Sequence, residues 1–117
     1  VTASHHWTGR GTSPVETMTM AQKPAMTTMY RADKGNLMLT HYCALGNQPR
    51  MRADMPDSTA KTLAFNFADA TNLAQPTDAH MHKVSFTFQD QDHFTQEWVL
   101  SKDGKELPHR FEFARVK

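Results

Sequence analysis

Seven histidines and a single cysteine are the side chains of this 117-residue sequence best suited to chemistry, and four of these eight fall in two short alternating stretches. Leu37 to Met51 reads Leu-Met-Leu-Thr-His-Tyr-Cys-Ala-Leu-Gly-Asn-Gln-Pro-Arg-Met, which puts His41 two residues before Cys43. His80-Met81-His82 repeats that spacing later in the chain. In an extended strand residues i and i+2 share a face. His41 and Cys43 then project with Leu37 and Leu39, while His80 and His82 project with Val84, Phe86 and Phe88. Imidazole and thiolate are good zinc ligands, so one such pair from each of two strands would make a ligand set if the strands met inside a barrel. Alternating strands also produce this spacing by chance, and buried imidazoles are ordinarily hydrogen-bonded to protein neighbours. The spacing alone therefore assigns no metal and no other cofactor.

The same residues suit two other chemistries. Cys43 as a nucleophile with His41 or His80 as its base would follow Cys–His enzyme logic, but nothing in the sequence marks an oxyanion hole or a third group to orient the base. Arg50 and Arg52 share a face and would grip a carboxylate bidentately; a solvated charged face is the plainer expectation. Eight methionines, five of them between Met18 and Met38, suit either soft-metal binding or adaptable packing.

Composition narrows the classes. Thirteen Lys and Arg against twelve Asp and Glu give a formal charge of +1, which offers no electrostatic case for nucleic acid or an anionic membrane. One cysteine excludes an internal disulfide and a multi-thiolate zinc site. No apolar run approaches the roughly 20 residues of a membrane-spanning helix, and no signal segment opens the sequence. These features point to a cytoplasmic protein. The chain begins at Val1, in what reads as the middle of a strand, so a missing N-terminal strand or segment, and with it secretion, stays open. The length suits one domain, residues 1–117.

The elements that would position these side chains are strands. Val1–Trp7 reads as a strand or a frayed arm, followed by the Gly9 to Pro14 turn. Val15–Met20, Ala25–Arg31 and Leu37–Cys43 follow, the last two joined by an Asp33-Lys34-Gly35-Asn36 hairpin. A tight Gly46-Asn47-Gln48-Pro49 corner, with Gly46 at positive φ, leads to Arg50–Asp54, stopped by Pro56-Asp57-Ser58. Lys61–Phe67 puts Leu63, Phe65 and Phe67 on one face, and Ala68–Ala79 reads as a structured loop with one helical turn. His80–Gln89, Phe94–Leu100 and His109–Val116 complete the chain, the last two flanking an Asp103-Gly104 hairpin. Helical periodicity is missing. The expected fold is all-β: an antiparallel meander of about eight strands, closing into a barrel or leaving a strongly curled half-open sheet.

Thr40-His41-Tyr42-Cys43, Gly46 through Met51, Asp69-Ala70-Thr71-Asn72, His80-Met81-His82 and Trp98 through Asp103-Gly104-Lys105 stand in this order. In these the chain, from about Val15 onward, resembles an uncharacterised family of small bacterial proteins with lipocalin-like (calycin-type) β-barrels. The resemblance implies that fold and a ligand cavity. It carries no catalytic residues.

An eight-stranded barrel is just wide enough to be filled by side chains or to hold one small ligand. The functional expectation is therefore a small apolar or amphipathic molecule held inside. Leu39, Phe65, Phe67, Phe86, Phe88, Trp98 and Phe113 would enclose it; His41, Cys43, His80, His82, Gln96 and Arg115 are the polar groups near it. Two alternatives stand beside this one: a metal-dependent or Cys/His enzyme built on the histidine and cysteine cluster, and a structural homodimer whose core is simply filled.

Overall fold

A computed structural model describes residues 1–54 and 59–116. Among them nine strands run in sequence order through one antiparallel sheet: β1 (Thr2–Thr8), β2 (Ser13–Met20), β3 (Lys23–Asp33), β4 (Asn36–Tyr42), β5 (Gln48–Asp54), β6 (Thr62–Thr71), β7 (His80–Phe88), β8 (His93–Lys102) and β9 (Lys105–Ala114). The all-β meander expected from the sequence is present, with one strand more than expected. The extra strand is β1, which pairs along its whole length with β2 and so is no frayed arm.

Turn chemistry sets the connections. Lys34 and Gly35 have φ of 50° and 85°, Asp103 and Gly104 have 52° and 77°, and both pairs form the tight hairpins their sequences call for. Gly46 sits at 86°, as its corner requires. The β2–β3 hairpin obeys the same geometry without the usual residues, since Ala21 and Gln22 both have positive φ, at 51° and 65°. Two stretches depart from expectation. β6 continues through Ala68 to Thr71, and residues 72–79 form turns and bends with no helical turn. The stop expected at Pro56-Asp57-Ser58 lies outside the described residues.

Cross-strand partners share a face, so register tells what lines the inside. Tyr30, Leu39, Met51 and Phe67 form one inward row, while Phe65, Val84, Trp98 and His109 form another. Rings from opposite halves of the sheet then meet: Tyr30 of β3 lies 5.9 Å from Phe86 of β7, and His41 of β4 lies 4.3 Å from Trp98 of β8. The sheet thus curls onto itself into a half-barrel, with β1 and β9 at the ends of the order and not paired to each other. Leu39, Met51, Ala53, Phe65, Val84, Phe86 and Trp98 make the core. Each of the larger ones contributes about 1.5–3 kcal/mol by burial. The outer face is charged: Arg50 pairs with Asp69 and Arg52 with Asp33, so both arginines have protein partners already, as a solvated charged face would have it.

Candidate functional site

Alternation alone would put His80 and His82 beside Val84 and Phe86. A bulge changes this: Met81 pairs with Leu100 but Lys83 with Val99, leaving His82 as the inserted residue. An insertion breaks the period of two and re-aims the side chains before it. His80 and His82 accordingly gather on Phe67 of β6, with ring centroids 5.0 and 4.9 Å away. His80 Nδ1 donates to the Asp78 carbonyl at 2.7 Å, which leaves Nε2 to accept a long contact of 3.4 Å from His82. Burial, then the neighbouring His80 and Lys83, lowers the His82 pKa. The bulge instead turns Met81 toward His41 and Trp98, with which it lines a cavity.

The four residues that the spacing made candidates for a shared zinc site do not form a ligand cluster. Among the described residues no three His, Cys, Asp or Glu side chains come together to hold a metal ion. Cys43 lies past the end of β4, in a turn where its amide donates to Asn47 O and its carbonyl accepts from the Gly46 amide. Half-buried there, its thiol is pushed up in pKa by burial, partly offset by the Leu45 and Ala44 amides. That is the opposite of what activates a nucleophilic cysteine. Arg115 bonds Asp92 and the Gln91 carbonyl at the surface rather than facing the interior. Phe88 is 44% exposed, at the rim. Phe65 and Phe86 are packed in the core, so most of the interior is filled by side chains.

A polar chain, little signalled by residue order, crosses this interior. Trp98 Nε1 donates to Gln96 Oε1 at 2.8 Å, and Gln96 Nε2 donates to Glu16 Oε2 at 2.7 Å. The same carboxylate oxygen meets His5 Nε2 at 2.8 Å. Glu16 is 2% exposed and Gln96 has no exposure, so their mutual bonds compensate the loss of water. The link joins β2 to β8 and helps hold the curl. Nearby, burial and the Glu16 charge raise the Tyr30 pKa, and its hydroxyl has no hydrogen-bond partner. Alternation does put Glu16 on the face of Met18; only the curl reveals that this face is inside.

At one end of the curl the packing opens into a cavity of about 150 Å³. Met20 at the end of β2 and Met26 of β3 line it beside the strained Ala21–Gln22 turn, Met81 enters from the β7 bulge, and His109 and Phe111 come from β9. His41 and Trp98 complete the wall, their rings 4.3 Å apart and tilted by 36°. His41 is 2% exposed. Its Nδ1 is 2.8 Å from Thr28 Oγ1, and its Nε2 is buried without a partner. Burial lowers the His41 pKa to about 4, so the ring is neutral at pH 7. A neutral imidazole fixed at one nitrogen has a single function left for the other: one hydrogen bond or one metal bond. Of the residues expected to form a site, the structure places His41 and Trp98 in this wall, with Gln96 bonded directly behind Trp98. Met20, Met26, Met81 and His109 were not expected there.

No known family model matches the chain, and no curated protein matches it.

Proposed function

We propose that this half-barrel is a binding protein for a small apolar or amphipathic molecule, and that its site is the cavity beside His41 and Trp98. The observation that carries the reading is the buried His41 Nε2, left without a partner on the wall of a largely apolar cavity. An unsatisfied buried polar group costs about 1–3 kcal/mol, a cost that a ligand atom of the right kind removes. The remaining lining, thioethers and aromatic rings with the imidazole of His109, follows the usual composition of small-molecule sites, mostly apolar with a few polar groups. The resemblance to lipocalin-like barrels, in which a ligand occupies the interior, agrees with this.

Size sets the class. A largely apolar cavity near 150 Å³ is of a size to take a benzene-sized molecule, so the ligand has roughly six or seven heavy atoms, one of them able to hydrogen-bond. Phenol and benzene are suitable probes. In a Trp7→Phe background, where Trp98 is the remaining tryptophan, phenol binding should change the indole fluorescence and move the Trp98 Nε1–H resonance. His41→Phe should remove most of the preference for phenol over benzene, about tenfold or less for one neutral hydrogen bond. A folded protein whose Trp98 signals ignore both probes at millimolar concentration would exclude the reading.

A further inference from the structure

The wall of the same cavity holds an uncommon concentration of soft donors. Met20, Met26 and Met81 bring thioethers from three strands, and His41 and His109 bring imidazoles. Thioether sulfur and neutral imidazole together suit Cu(I) and its redox-inert analogue Ag(I), whereas hard divalent ions need oxygen ligands. No carboxylate lines the cavity, so nothing there favours a doubly charged ion.

Three further features fit a single positive charge. His41 Nδ1 is held by Thr28 Oγ1, the kind of contact that orients an imidazole ligand and leaves Nε2 for the ion. The Trp98 ring lies in the wall, and an indole is the best aromatic partner for a cation. Its Nε1–H donates to Gln96, which donates to the buried Glu16 carboxylate, so a negative charge stands behind the indole two hydrogen bonds away. That arrangement makes the ring more electron-rich and offsets part of the cost of burying a cation.

We infer that the cavity framed by Met20, Met26, Met81, His41 and Trp98 is a site for a soft monovalent metal ion, Cu(I) or Ag(I), which competes with any organic ligand for the same space. The inference uses the cavity but does not depend on phenol binding.

The test is titration with silver nitrate in chloride-free buffer, in a Cys43→Ser background because a free thiol binds silver by itself. With methyl-labelled methionine, one equivalent of Ag(I) is expected to shift the Met20, Met26 and Met81 methyl resonances while Met18, Met29, Met38 and Met51 stay in place. Replacing the three lining methionines together by leucine, which conserves volume, is expected to weaken Ag(I) at least hundredfold. Unmoved methyls, or shifts confined to the other methionines, overturn the inference whatever phenol does. Equal Ag(I) affinity in the leucine variant overturns it too. If that variant fails to fold, the methyl shifts of the parent protein decide alone. Shifted methyls in a protein indifferent to phenol would sustain the metal site and remove the organic one.

Discussion

Acid should loosen this fold through His41, and the size of the effect follows from its burial. The ordinary histidine pKa is 6.5, and burial among Trp98, Thr28 and the cavity wall lowers it to about 4. Between those values the unfolded chain binds a proton that the folded chain refuses, so stability rises with pH across the window. It is fully present above about pH 6.5 and lost as pH falls toward 4. At 1.36 kcal/mol per unit the loss amounts to about 3 kcal/mol, a large part of the 5–15 kcal/mol typical of a domain. His82 is lowered as well and titrates in part of the same range, while the lowered Asp69 and Asp90 carboxyls act below it. Comparison with His41→Gln isolates the term, because Gln keeps a polar group near Thr28 and does not titrate. Urea unfolding at half-unit steps from pH 7 to 4 should show the advantage of wild type over variant shrinking by about 3 kcal/mol, or about 2 M in midpoint. Parallel profiles for the two proteins would mean that His41 is not held neutral by burial.

Breaking the interior polar chain should cost more than removing a surface bond. Gln96→Leu leaves Trp98 Nε1 without its acceptor and Glu16 without one donor, and urea midpoints should report a loss of about 3 kcal/mol; a loss below 1 kcal/mol would show that water or His5 compensates. The β2–β3 turn should be improvable. Replacing Ala21-Gln22 by Asn-Gly relieves two non-glycine residues of positive φ and should raise stability by about 1–2 kcal/mol, seen as a higher melting temperature. Cys43 should alkylate slowly at pH 7, with a rate still climbing beyond the midpoint of an unperturbed thiol, because burial raises its pKa; fast alkylation at pH 7 would revive a nucleophilic role.

The strands and their turns were legible in the sequence because their causes are local. Alternation in Val84–Phe88, Leu63–Phe67 and Phe94–Leu100, and Gly at the positions of positive φ, depend on residues a few places apart. The inward placement of Leu39, His41, Phe65 and Trp98 followed from the same period. β1 was ambiguous because His5, His6 and Trp7 give no alternation; its order comes from pairing with β2.

What the tertiary structure decided was which side chains meet. The bulge at His82 has no sequence mark, yet around it His80 and His82 gather on Phe67 while Met81 lines the cavity. Glu16 and Gln96 stand far apart in sequence, and only the curl of the sheet brings them within 2.7 Å. The sequence by itself determined the elements and the face of each strand, since those depend on short-range sterics and a fixed period. The site depends on register, on one inserted residue and on how far the sheet bends, and these are settled by packing across the whole chain.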